Sequence, residues 1–152
     1  MDKLTLARAQ LLHPMIRDAV IAILEDLKLP QGVQVRITQS LRTFAEQDKL
    51  YAQGRSAPGQ KVTNARAGES LHNFGLAFDF VLLVNGQVSW TVDENWKKVA
   101  ASFKEQGFSW GGEWKSIKDY PHLEKSFGYS WQQLLEKYRK GELISGTQYV
   151  RL

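Results

Sequence analysis

Apolar residues at Met15, Ile16, Ala19, Val20, Ile23, Leu24 and Leu27 recur at the three-to-four spacing of an amphipathic helix, and Pro14 fits the first turn, where its missing N–H costs nothing. The period then changes to two. Val33, Val35 and Ile37 alternate with Gln34, Arg36 and Thr38, which predicts a half-buried strand. Thr43 and Glu46 form a capping-box pair for a following helix that should stop near Gly54. From Gly54 to Gly68 glycine, proline and small polar residues show little periodicity, so a long surface loop is expected, of the kind that is usually functional or disordered. "LAFDFVLLVNGQVSW" predicts a strand, a tight Asn85-Gly86 turn and a returning strand. "TVDE" opens another boxed helix through Ala101 and Phe103 toward Gly107, and Ser130 with Gln133 opens a last one ending at Gly141. Between these helices, "FSWGGEWKSIKDYPHLEK" reads as an irregular aromatic segment. It should lead into a short extended piece, because Pro121 pushes its predecessor out of the helical region. There is no internal repeat.

With 152 residues, of which 43% are hydrophobic, the chain can bury one real core, and a single domain over residues 1–152 is expected. No apolar run approaches the roughly 20 residues that span a bilayer, and "MDKLTLARAQLL" lacks the basic, apolar and cleavage regions of a secretory signal. A soluble chain made in the cytoplasm, with no membrane insertion, is the expectation. Without cysteine, any transition metal must be held by His, Asp or Glu. A net charge of +4 suits polyanionic surroundings such as nucleic acid, anionic lipid or an acidic wall polymer. The basic residues are scattered, however, with no run of five or six, and a solvated surface explains them better.

Within "SLHNFGLAFDF" a nearly continuous apolar run is broken by one carboxylate, Asp79. Strand alternation puts Leu76, Phe78, Phe80 and Leu82 on one face and Ala77, Asp79, Val81 and Leu83 on the other. Both faces are mostly apolar. A desolvated carboxylate there costs several kcal/mol unless it is compensated or protonated. Arg36, Arg42 or backbone N–H groups could compensate it. So could a metal, because His72 lies just ahead on the segment leading into the strand, and Gly75 permits a bend between them. The other histidines are His13 and His122. His13 precedes Pro14, where a surface or capping role is expected, whereas His122 has Asp119 three residues before it. Two histidines, a carboxylate and an open position make the pattern of catalytic zinc. Asp119 would then be a general base, able to reach the reacting water without binding the metal.

These residues resemble the Ser-x-His-x-x-Gly-x-Ala-x-Asp signature of the LAS-type zinc peptidases, which comprise D-alanyl-D-alanine carboxypeptidases and dipeptidases and L-alanyl-D-glutamate peptidases. "TQSLRTFAEQDKLYAQGR", "VTNARAGES", "FSWGGEW" and "KDYPHLE" follow in the order of the L-alanyl-D-glutamate branch, which includes phage endolysins. The resemblance runs from about His13 to Glu124. It implies an α+β fold of the hedgehog/DD-peptidase type, a small and mostly antiparallel sheet flanked by helices. It also implies one zinc on His72, Asp79 and His122, with Asp119 as base, Arg42 steadying the substrate carbonyl oxygen and Ser70 helping to hold substrate. Leu71 and Leu123 stand where the family commonly has aromatics, and Glu113 stands where it has aspartate. Trp110, Trp114 and Tyr120 could line the cleft or belong to the core.

The expected activity is hydrolysis of the L-alanyl-D-glutamate bond of peptidoglycan stem peptides. The alternatives are a D-alanyl-D-alanine carboxypeptidase or dipeptidase of the same family, and a non-catalytic module that binds walls or nucleic acid. The leading reading expects a monomer with no nucleic-acid partner, no separate wall-binding domain, and action at the wall or in the periplasm after release from the cytoplasm, as for an endolysin.

Overall fold

The computed structural model describes residues 1–152. Five helices pack against a five-stranded sheet in which every pairing is antiparallel. The helices are α1 (Lys3–Ala9), α2 (Pro14–Asp26), α3 (Phe44–Ala52), α4 (Glu94–Lys104) and α5 (Trp131–Arg139). The strands are β1 (Val33–Gln39), β2 (Ala77–Val84), β3 (Gln87–Ser89), β4 (Ser109–Trp110) and β5 (His122–Glu124). Strand β2 is the hub: β1 covers one edge, while β5 and β3 share the other, and β4 extends the sheet beyond β5. One cluster of 20 buried apolar residues joins Ile16 and Val20 of α2 and Trp96, Val99 and Phe103 of α4 to Phe78, Phe80 and Leu82 of β2.

The hairpin forms as expected, with Asn85 and Gly86 both at positive φ (51° and 81°), the backbone that matches the twist of the flanking strands. Thr43 caps α3 by accepting from Glu46 N, and Ser130 with Gln133 makes the reciprocal box on α5. The cap of α4 differs from expectation. It is Asp93 rather than Thr91 that accepts, from Trp96 N at 3.0 Å, because a helix beginning at Glu94 leaves Thr91 too far out to reach its free N–H groups. Helix α1 had no counterpart in the sequence reading. It is a short element capped by Asp2, whose carboxylate also pairs with Arg36 at 3.2 Å.

His13 caps α2 through Nδ1, which accepts from Met15 N, but it is buried rather than at the surface. The chain's tail accounts for this, since Val150 O lies 2.6 Å from His13 Nε2. The same residue anchors the bend ahead of β2, through a bond from His13 N to Gly75 O of 2.9 Å.

The end of β1 is irregular. Ile37 faces Phe80, yet Gln39 faces Asp79, so Thr38 is an extra residue, a bulge that turns the strand end away from the regular ladder. The chain leaves this bulge directly into Ser40, Leu41 and Arg42.

Gly75 has φ +71°, and a Cβ there would lie 2.8 Å from His13 N. Gly75→Ala should therefore lower stability by about 1–3 kcal/mol, from left-handed backbone strain plus the clash. A urea unfolding midpoint unchanged from the wild type would contradict this.

Candidate active site

Residues of β2, β5 and one helical turn meet at a cleft of about 500 Å³ whose lining includes Arg42, Ser70, His72, Asp79, Asp119 and His122. His72 sits on a short 3₁₀ helix (Leu71–Phe74). Ser70 caps that turn by accepting from His72 N, Asn73 Oδ1 accepts in return from Ser70 N, and Gly75 ends it in the left-handed conformation. Asp79 lies on β2 directly opposite His122 on β5. Opposed residues of an antiparallel pair project to the same face, so sheet register brings together what the sequence separates.

His72 Nε2 and His122 Nδ1 each lie 3.3 Å from Asp79 Oδ1, and the three groups offer ligand atoms all within 4.8 Å of one another. The other ring nitrogens are engaged: His72 Nδ1 with Ser40 O at 2.9 Å, and His122 Nε2 with Glu124 Oε1 at 2.7 Å. A carbonyl and a carboxylate only accept, so those two nitrogens carry the protons. In the neutral rings the inward nitrogens then present lone pairs to a carboxylate oxygen that is itself buried and lacks a hydrogen-bond partner of good geometry. Like partial charges cannot be held so closely without a cation or a proton among them. A metal fits, because tetrahedral bonds of 2.0–2.1 Å place ligand atoms about 3.3 Å apart. Outward acceptors on both imidazoles are also what metal-binding histidines commonly have.

The electrostatics of the protein groups agree. Burial alone would raise the Asp79 pKa, but the pull of His122 and His72, when these rings take up a second proton, outweighs it and holds the carboxyl well below its ordinary range. Burial would lower the pKa of His122, yet Asp79 and Glu124 raise it to about 9. The same negative field would favour a metal ion, with which a proton competes for Nδ1. Neither arginine considered for Asp79 forms an ion pair with it. Arg36 pairs with Asp2, while Arg42 lines the cleft and feels Asp79 at longer range.

Arg42 is fastened at both ends. Its backbone N donates to His72 O and its Nη1 to Gln47 Oε1 at 3.0 Å, with Nε buried and without a partner. Burial lowers its pKa, opposed by Asp79, Glu46 and Asp119. Asp119 Oδ2 is 3.9 Å from His122 Nδ1. Its carboxyl pKa is raised, first by burial and then by the charge of Asp79. Of the three cleft aromatics considered, Trp114 lines the cleft, its ring centroid 5.0 Å from that of His122. Trp110 and Tyr120 pack against each other. Leu123 is core, Leu71 lines the cleft, and Glu113 pairs with Lys104 at 2.7 Å.

Sequence reasoning missed Ser40, Gln47, Asn73 and Glu124. Glu124 was within reach, since residues two apart on a strand share a face. Ser40 contributes only a carbonyl and carries no side-chain signal. Gln47 and Asn73 hold Arg42 and each other across α3 and the 3₁₀ turn, contacts visible only once the fold is closed.

The family described as D-alanyl-D-alanine carboxypeptidase matches residues 63–125. The chain is 44% identical over 122 residues to the peptidoglycan L-alanyl-D-glutamate endopeptidase CwlK of Bacillus subtilis, covering 74% of this chain and 72% of that one. It is 33% identical over 101 residues to the L-alanyl-D-glutamate peptidase of Listeria phage A118, covering 64% of this chain and 33% of that one. Its fold matches the crystal structure of the Serratia marcescens L-Ala D-Glu endopeptidase ChiX with a TM-score of 0.61 at 23% identity, over 84% of this chain and 90% of that one. Fold, cleft and relatives together define a peptidase. The chain belongs to the LAS peptidase family of D-alanyl-D-alanine carboxypeptidases and L-alanyl-D-glutamate peptidases, with its similarity on the L-alanyl-D-glutamate side. No helix is long and apolar enough to cross a membrane.

Removing the outward acceptor on His122 should weaken metal binding without unfolding the chain. Glu124→Ala is expected to lower divalent-metal affinity about 10- to 100-fold in chelator competition, and unchanged affinity would show that this carboxylate does not tune the imidazole.

Proposed function

We propose that the chain is a zinc endopeptidase that hydrolyses the L-alanyl-D-glutamate bond of peptidoglycan stem peptides, with His72, Asp79 and His122 holding the metal. The carrying observation is the convergence of two imidazole nitrogens on a buried carboxylate oxygen, each at 3.3 Å. Two nitrogens and one oxygen favour zinc over the hard cations, which prefer all-oxygen sites. The choice of bond is supported by the 44% identity to an enzyme named for it. When bound, zinc supplies a Lewis acid that eases ionisation of water toward neutral pH and polarises the scissile carbonyl.

The chain's own groups do the rest. Asp119 accepts a proton as the water oxygen adds to the alanyl carbonyl carbon. It returns that proton to the glutamyl nitrogen as the C–N bond breaks, leaving a carboxyl and an amine. A pKa raised by burial suits a group that must both take and give. Arg42, held by Gln47, faces the negative charge that grows on the carbonyl oxygen and stabilises the transition state more than the bound substrate. Ser70 uses its oxygen lone pair to cap His72 N, which leaves its O–H free to donate to a substrate carbonyl. A net charge of +4 favours the acidic wall, where a monomer would act after release.

Mass spectrometry of digested muropeptides should show new ends after L-alanine. Loss of terminal D-alanine would instead establish the carboxypeptidase reading favoured by the family description. Binding that survives chelation with no new peptide ends would establish a non-catalytic module. Plasma emission analysis should find about one zinc per chain, and His72→Ala should lose both zinc and activity. Asp119→Ala should keep its zinc while turnover falls about 10²- to 10⁴-fold, and near-normal turnover would remove its role as base.

A further inference from the structure

Two indole N–H groups converge on one carbonyl oxygen between Asp119 and His122. Trp96 Nε1, from α4, donates to Tyr120 O at 3.0 Å, and Trp110 Nε1, from the end of β4, donates to the same oxygen at 2.7 Å. A carbonyl has two lone pairs, so both bonds form at once. The peptide unit they grip joins Tyr120 to Pro121 and therefore has no N–H. Its oxygen is the only handle by which hydrogen bonding can orient it.

The flanking units are held through the backbone. Asp119 N donates to Gly111 O at 2.9 Å, His122 N to Asp119 O at 3.2 Å, and Phe80 N to Pro121 O at 3.0 Å. A Cβ on Gly111 would collide with Asp119 O, so the glycine lets the Asp119 backbone lie flush against it. Only the Tyr120 unit depends on side chains, and both of those come from outside the segment. Trp96 is fully buried and its ring packs on Phe80 at 4.7 Å, which ties the grip to the strand that carries Asp79. Phenylalanine could fill the same apolar space. Two donors aimed at one acceptor fix a peptide plane as well as filling volume.

We infer that Trp96 and Trp110 are positioning residues that, through the Tyr120 carbonyl, set the placement of Asp119 relative to His122. The inference rests on the proposed role of Asp119 as base. A rotation of the Tyr120 unit would move that carboxylate, and misplacement of a reacting group by about 1 Å can cost 10²-fold in rate.

Trp110→Phe is the test, because it keeps an aromatic ring at a half-buried position and removes only the N–H. On a soluble stem peptide kcat should fall about 10-fold with KM within about two-fold, while zinc stays at one per chain and the melting temperature drops by only a few degrees. In an Asp119→Asn background the same change should produce no further loss of the residual rate, since its effect passes through Asp119. Trp96→Phe should repeat the pattern, and Trp110→Phe decides the matter alone if the core variant does not fold. Three results would overturn the inference: kcat within two-fold of wild type, activity lost only in proportion to zinc or folded protein, or full additivity with Asp119→Asn. Should Asp119→Asn itself be as active as wild type, the base assignment fails and the inference fails with it. If Asp119→Asn is inactive and Trp110→Phe unchanged, only the indole pair is wrong.

Discussion

A buried carboxylate oxygen facing two imidazole nitrogens is the arrangement on which the rest of this molecule depends. Asp79 Oδ1 has His72 Nε2 and His122 Nδ1 each 3.3 Å away. Such a cluster opposes folding unless positive charge enters it, and the same opposition becomes affinity when a cation does. Folding and ligand binding therefore draw on one electrostatic imbalance.

The scaffold makes the imbalance directional. Ser40 O and Glu124 Oε1 take the outward ring protons, so both inward nitrogens are left as lone pairs aimed at one point. Sheet pairing supplies the accuracy: Asp79 and His122 are cross-strand partners, and ligands on rigid strands are placed more accurately than ligands on loops. His72 is the exception, on a 3₁₀ turn. That turn is boxed by Ser70 and Asn73 and closed by Gly75, and behind Gly75 stands the buried His13. The histidine farthest from the chemistry thus backs the element that carries one of the proposed ligands.

Much of this was legible in the chain itself, for a physical reason: local signals act over a few residues. The β2–β3 hairpin, the caps at Thr43 and Ser130 and the bend at Gly75 are decided by neighbours in sequence, and the structure has them. A lone acid in an apolar strand with a histidine shortly before it was enough to single out Asp79 and His72. His122 needed the further signal of Asp119 beside it. What could not be read depended on register. The pairing of β2 with β5 and the meeting of Trp96 with Trp110 at one carbonyl join residues that share no local pattern. The burial of His13 required the tail to fold back over it. The cap of α4 was misplaced because Thr91 and Asp93 both precede the helix, and only the backbone decides which one reaches it.

The bulge at Thr38 carries a different kind of information. It shifts β1 by one position just before Ser40, whose carbonyl meets His72, and Arg42, which lines the cleft. Shortening the chain there by one residue would restore an unbroken ladder and turn every following side chain to the opposite face. The sheet would gain a pairing while Ser40 and Arg42 left their places. At this point the chain must preserve a count more strictly than a composition: many residues could stand at position 38, but one has to stand there.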